Sequence, residues 1–276
     1  MALHLPINEQ CNIQCVFCSA AGRGGAFELP YLLSQVDADK TGHVQISGGD
    51  PLLKEPAELL ELLVHCRKRK KIVEFQTNAV LVPRYDKKRL RLIAGLVDFF
   101  NVNFSAHTPE LDYEVTRTKG AFEARVEAVR MLLELGSTVR LNYIVHRANC
   151  AHAEDFVGFA AREMPGFSWI QFSYVKGMGR AKGDAGVMPR FREAAPALNA
   201  AMARCKALGI GFDVDHIPVC FVMDYKDHHV DYRKMRAGRS GVHISEKQKV
   251  AECDGCNLRE VCPGPRRDYI ELYGAL

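Results

Sequence analysis

The sequence predicts an α/β fold: a partial, TIM-like (β/α)6 barrel over residues 1–209, followed by a small cysteine-bearing subdomain over residues 210–276. Three observations carry this reading. Short apolar runs alternate six times with helical patterns, which implies parallel strands joined by right-handed crossovers. The turns at the carboxyl ends of those runs are polar or glycine-rich, and ligands of parallel sheets bind at such ends. After residue 210 the pattern changes, and four of the ten cysteines fall between residues 220 and 262.

In order along the chain, Leu3, Leu5 and Ile7 alternate as a first strand running into Cys11, Cys15 and Cys18. Val44 and Ile46 form a second strand, ending at Gly48-Gly49-Asp50-Pro51. Leu59, Leu62, Leu63 and Cys66 recur at helical spacing. A third strand covers Ile72 to Phe75 and meets Thr77-Asn78; a helix follows near 86–94. Phe100, Val102 and Phe104 share one face of a fourth strand, which ends at Ser105. Phe122, Val126, Val129 and Leu133 mark a helix stopped by Gly136. Val139 to Val145 is a fifth strand, and 153–163 a helix. Trp169 to Val175 is a sixth, leading to Lys176-Gly177-Met178-Gly179; the last long helix, 190–208, stops at Gly209. Six units without a seventh and eighth predict an open barrel.

Composition narrows the function classes. The chain has 276 residues, 47% hydrophobic and 25% charged, with a net charge of +4, too mild for a nucleic-acid partner. The basic run Arg67 to Lys71 ends a predicted helix, where it suits the negative end of the dipole. The start, MALHLPINEQ, has no targeting pattern, and no stretch approaches the ~20 apolar residues of a membrane span. A cytoplasmic location is expected. There, clustered cysteines read as metal ligands or catalysts rather than disulfides. Cys66, Cys150 and Cys205, outside both clusters, read as small buried hydrophobes.

Cys11, Cys15 and Cys18 have the spacing C-x3-C-x2-C. Iron–sulfur clusters normally take four cysteines, so a three-cysteine loop leaves one iron without a protein ligand. The alternative is a zinc loop that borrows a distant fourth ligand.

This loop, with Phe17 just before its third cysteine, resembles the signature of the radical S-adenosylmethionine (radical SAM) enzymes. The resemblance continues in register. Gly48-Gly49-Asp50-Pro51 resembles the family's Gly-Gly-Glu-Pro turn, and Thr77-Asn78 its Thr-Asn-Gly, with Ala79 in place of the last glycine. Ser105 and Arg117 resemble the polar pair after strand four that holds the methionine carboxylate, and Gly177 and Gly179 the glycine turn beside the adenine. The likeness implies a [4Fe–4S] cluster on the triplet, with SAM on its open iron. It also implies that Asp50 accepts from the SAM ammonium, and that the electron comes from a donor such as a flavodoxin or ferredoxin. Cleavage of SAM then gives a 5′-deoxyadenosyl radical that abstracts a substrate hydrogen.

The second set, Cys220-x32-Cys253-x2-Cys256-x5-Cys262, resembles the C-x2-C-x5-C core of SPASM and twitch subdomains, which bind auxiliary [4Fe–4S] clusters. Arg266 stands where a further cysteine of the SPASM pattern would be, so one auxiliary cluster with Cys220 as fourth ligand is expected, two clusters in all. The same four thiolates also suit structural zinc. A saturated cluster serves as an electron relay; if Cys220 is no ligand, an iron is open to substrate. His107, Tyr174 and Lys176 lie near strand ends as substrate candidates, while the adjacent His228 and His229 point to different faces.

Three functions compete. The first is net oxidation or cross-linking of a ribosomally made peptide. With the first cysteine at position 11, a recognition domain has no room before it, so a separate recognition protein or the barrel rim would bind the leader. The second is a small-molecule dehydrogenase or cofactor-building enzyme. The third, a non-enzymatic iron–sulfur or zinc protein, leaves the strand-end turns unexplained.

Overall fold

The computed structural model describes residues 2–22 and 24–276. Its core is one seven-stranded parallel sheet in sequential order, β1 (Leu3–Pro6), β2 (His43–Ser47), β3 (Ile72–Thr77), β4 (Phe99–Asn103), β5 (Val139–Val145), β6 (Trp169–Tyr174) and β7 (Gly211–Asp215). Among the described residues β1 and β7 do not pair, so the barrel is open. Between strands run α1 (Leu29–Ala38), α2 (Pro56–Lys68), α3 (Lys87–Leu96), α4 (Pro109–Thr116), α5 (Ala121–Glu134), α6 (Ala153–Glu163) and α7 (Phe191–Ala207); α8 (Val230–Arg236), α9 (Val242–Ser245) and α10 (Arg267–Tyr273) follow β7.

The helices start where local chemistry allows. The Glu55 side chain accepts from the backbone N–H of Ala57 and Glu58 at the head of α2, and Pro56 fills a position whose N–H has no helical partner. Asp86 and Thr108 cap α3 and α4 in the same way.

The strand alternation divides the sheet into two unlike faces. Residues such as Val44, Phe75, Val102, Leu141 and Phe172 have no solvent exposure and pack under the helices as one continuous core. The opposite face lines the barrel interior and is polar. Parallel strands are usually apolar on both faces, so this interior is built to be wet or filled. At mid-height, buried Glu74 accepts from Gln45 (2.8 Å), Gln76 (3.0 Å), Asn101 (3.0 Å) and Arg140. Below it, Phe99 and Trp169 close the floor, with their ring centroids 5.5 Å apart and the Arg140 guanidinium over both.

Within the sheet and its crossover helices, three elements escape the sequence reading, as do α8, α9 and α10 beyond it. α1 buries only Leu32 and Val36, and α4 is eight residues long; neither repeats an apolar period often enough to register. β7 lies beyond residue 209 and alternates Phe212 and Val214 with Asp213 and Asp215 over five residues, too short a pattern to separate from loop. Its pairing with β6 carries the sheet into the C-terminal part of the chain. That part also returns to the barrel: Tyr269 of α10 stacks on Phe191 of α7, with centroids 3.7 Å apart. Val219, Tyr232, Leu258 and Cys262 form a separate small core there.

Candidate active site

The cysteine loop follows β1 and is fastened on three sides. On the β2 side, the Gly49 N–H donates to Asn8 O (3.0 Å) and the Asp50 N–H to Gln10 O (2.7 Å). A Cβ on Gly49 would sit 1.9 Å from Gln10 O, and one on Gly48 2.4 Å from Asn8 O. These glycines are therefore required by the chain that leads into the cysteines. On the α4 side, the Gln14 and Val16 N–H groups, which flank Cys15, donate to Thr116 O and Val115 O (2.9 Å each). On the β6 side, the Arg180 N–H donates to Cys18 O (3.0 Å) and its guanidinium to Cys15 O (3.1 Å), while Gly179 leaves no room for a Cβ beside Cys18 O.

The three thiols lie within electrostatic reach of one another. Burial pushes the Cys15 thiol up to about 12; the Arg125 guanidinium opposes this, and Cys11 and Cys18 add to it. Cys11 is also raised, by burial first and then by Asp50 and Cys18. Asn78 donates to Cys11 Sγ (3.6 Å) and to Asn12 Oδ1 (2.9 Å). None of the ten cysteines is in a disulfide. An all-sulfur donor set, held by backbone on three sides, fits the thiolate chemistry of an iron–sulfur cluster.

Of the remaining sequence-derived candidates, several meet at this mouth and several do not. Phe17 packs 5.3 Å from the His146 ring. Pro51 opens a single helical turn that Asp50 caps through Leu52 N–H (3.0 Å). Asp50 itself is fully buried, and its other oxygen takes the Thr77 hydroxyl and the Asn78 N–H (2.8 Å each). With both oxygens used by the protein, Asp50 positions the turns of β2 and β3 and does not face a ligand ammonium. Ala79 holds φ +62°, the glycine-like conformation that the departure at this position demands. Ser105 is buried, and its hydroxyl accepts from the Ile144 N–H (2.9 Å). Arg117 ends α4 in a left-handed conformation and is exposed, and its side chain makes no hydrogen bond or ion pair to another described residue. Gly177 donates to Asp268 (3.0 Å), tying the β6 turn to α10.

Tyr174 is a correction. It points to the helix side of β6, where it packs on Phe191 and donates to Pro189 O, because the period of two places Gln171 and Ser173 on the interior face instead. Lys176 stands at the mouth, 3.8 Å from Glu246, and burial lowers its pKa. His107 lies on the rim, its Nε2 4.0 Å from Asp155.

Sequence reasoning missed Arg125, Asn149 and Arg180. Arg125 is fully buried, pairs with Asp112, donates to Asn103 O (3.1 Å) and lies 4.9 Å from the Phe104 centroid. It sat in the sequence as one polar residue of an amphipathic helix. Asn149 is buried and ties Ser105 O (2.9 Å) to Ile144 O (2.8 Å) and the His146 N–H (2.8 Å). No sequence pattern marks it. Arg180 follows the glycine turn directly, a signal that could have found it.

In the C-terminal part, burial raises Cys220 to about 11, followed by the proximity of Cys262, Cys256 and Cys253. The four thiols thus share one locality, again an all-sulfur donor set. Arg266 is buried between Glu246 (2.5 Å) and Asp268 (2.6 Å).

A sequence profile of the Radical SAM superfamily matches residues 5–160, more than half of the chain. The chain belongs to the radical SAM superfamily. The superfamily carries a [4Fe–4S] cluster and SAM, and the Cys11–Cys15–Cys18 loop is the donor set that suits such a cluster. Among its relatives, the chain is 29% identical over 157 residues to the PqqA peptide cyclase of Granulibacter bethesdensis, covering 54% of this chain and 41% of that one. It is 25% identical over 275 residues to the PqqA peptide cyclase of Gluconobacter oxydans, covering 94% and 71%. The chain thus spans less than half the length of the first relative. In fold it is similar to anSMEcpe with bound AdoMet and a Cp18Cys peptide, with a TM-score of 0.72 at 13% identity, over 98% of this chain and 90% of that one. As for membranes, no helix among the described residues is long and apolar enough to cross one.

Proposed function

We propose that this radical SAM enzyme performs a net oxidation or cross-linking of a ribosomally made peptide, with one auxiliary cluster beside the barrel. The observation that carries the reading is the convergence of the β1, β2, β3 and β6 turns on one three-thiol loop at an open barrel mouth. The similarity of nearly the whole chain to a PqqA peptide cyclase supports a peptide substrate.

In this reading Cys11, Cys15 and Cys18 hold the SAM-binding [4Fe–4S] cluster. Phe17, Gly48, Gly49, Pro51, Thr77, Asn78, Ser105, Gly177 and Gly179 shape the SAM site, while Asp50 orients two of its turns from behind. When bound, the cluster supplies the electron that cleaves SAM and starts hydrogen abstraction. The barrel holds the substrate opposite the loop, Arg180 fixes the loop's backbone and Asn78 the Cys11 sulfur, and the helix-covered walls exclude water. Residues from about 216 onward form an auxiliary unit in which Cys220, Cys253, Cys256 and Cys262 bind a second [4Fe–4S] cluster. An electron donor of the flavodoxin or ferredoxin class and a separate peptide-recognition protein complete the system.

Anaerobic reconstitution followed by dithionite and SAM tests the reading. The wild type should release 5′-deoxyadenosine, and Cys15→Ala should release none. Iron should reach roughly eight per chain and fall to roughly four in Cys253→Ser. Equal 5′-deoxyadenosine from Cys15→Ala refutes the catalytic assignment. Four irons with one zinc in the wild type refutes the second cluster.

A further inference from the structure

We propose that the upper barrel interior, just below the cysteine loop, recognises a substrate group rich in N–H donors and positively charged: an ammonium or a guanidinium. This rests on the reading of the barrel mouth as the substrate site. The interior face carries two polar layers of different character. In the middle layer every charge is met: Glu74 collects four donors, and Arg140 is neutralised by it. In the layer above, acceptors outnumber donors. Asn103 stands opposite Asn142 across β4 and β5, Asn142 opposite Gln171 across β5 and β6, and Ser173 opposite Asp215 across β6 and β7.

Buried oxygens of Asn103, Asn142 and Asp215 have no hydrogen-bond partner, and neither does the Asn101 oxygen in the layer below. Asp215 is 7% exposed; one of its oxygens accepts from Gln171 (2.7 Å), and the other lies 3.8 Å from His216 Nε2, beyond hydrogen-bond reach. Buried polar atoms in native proteins are nearly always paired. Four unpaired acceptors on β4, β5 and β7, facing the polar interior, describe a receptor that lacks its donor. Rotating an asparagine amide exchanges its oxygen for its nitrogen, but it cannot do so for Asp215, whose carboxylate accepts only. That carboxylate sets the sign of the charge wanted. Lys176, which feels the Asp215 charge, pairs with Glu246 (3.8 Å) and makes no hydrogen bond to Asp215. The unpartnered Arg140 Nε lies one layer down, within the neutral pair.

The experiment is equilibrium binding to the reconstituted holoenzyme with SAM and no reductant, using N-acetyl-arginine, N-acetyl-lysine and N-acetyl-norleucine methylamides as probes. Both cations should bind at least roughly tenfold more tightly than the norleucine probe. Asp215→Asn and Asn142→Leu should each erase most of that preference. Asn142→Asp, which adds a carboxylate without changing shape, should increase it, and carries the test if the other two variants fold poorly. Equal binding of norleucine overturns the proposal, as does a preference unchanged in all three variants. The readout needs no turnover and so does not depend on SAM cleavage. Absence of 5′-deoxyadenosine from the wild type would refute the proposed function and leave this inference standing.

Discussion

Replacing Gly49 by alanine should unfasten the cysteine loop. Its new Cβ would meet Gln10 O at 1.9 Å, Gln10 C at 2.3 Å and Glu9 O at 2.7 Å, all backbone atoms that no rotamer change can move. The two backbone bonds beside it, Gly49 to Asn8 and Asp50 to Gln10, must lengthen or break. Each is worth about 0.5–1.5 kcal/mol, and overpacking of this kind costs about 1–3 kcal/mol more. The sum is about 4 kcal/mol, a large part of an ordinary domain's stability. For a chain of this size that lowers Tm by roughly 10 °C. Gly95→Ala is the matched control: nothing lies within 4 Å of its Cβ, and its φ is ordinary, so it should be neutral or slightly stabilising. Thermal melting of the metal-free protein gives the stability, and iron per chain after reconstitution gives the integrity of the loop. A Gly49→Ala protein that melts within about 2 °C of wild type and takes up full iron would show that the glycine serves something other than this backbone contact.

Other outcomes follow from the same structure. Arg125→Met or Asp112→Asn alone should cost about 3–5 kcal/mol by stranding a buried charge, and the Arg125→Met/Asp112→Leu pair should cost less than the sum of the singles, as a double-mutant cycle of melting temperatures would show. Glu74, held down to about 2 by His43 and Arg140 against the opposing effect of burial, is raised to its ordinary value on unfolding. Its contribution, roughly 3 kcal/mol, is present above about pH 4.5 and lost as pH falls toward 2; Glu74→Gln should flatten that limb of the acid unfolding curve of metal-free protein. Tyr269→Ala removes the ring stacked on Phe191 and should cost about 3–5 kcal/mol, with protease cleavage appearing first beyond residue 216.

How much of this was legible in the sequence depends on range. The strands and longer helices were legible because apolar alternation over five to seven residues, or a helical period over ten or more, repeats enough to stand out; α6 is found at the span expected, 153–163. Elements with two apolar contacts, such as α1 and β7, carry too few repeats. The site was legible where chemistry is local, as in the Cys11-Cys15-Cys18 loop and its glycine turns. It was illegible where function depends on partners far apart in sequence. Nothing next to Asp50 reveals that Thr77 and Asn78 occupy its carboxylate, and nothing next to Arg125 reveals that it comes to lie buried beside Cys15. Tyr174 failed for a simpler reason: being near a strand end says nothing about which face a residue takes.

The bond from Arg180 to Cys15 O spans 165 positions of chain. At about 5–20 residues per second, the ribosome needs roughly 10–30 s to deliver the second partner after the first. For much of that interval the first thiols have been made, yet the turn after the sixth strand (Trp169–Tyr174) that closes their loop has not. The full set of backbone ties around the three thiols is thus complete only when most of the barrel exists, so the loop is among the last local structures to close although its cysteines are among the first residues made.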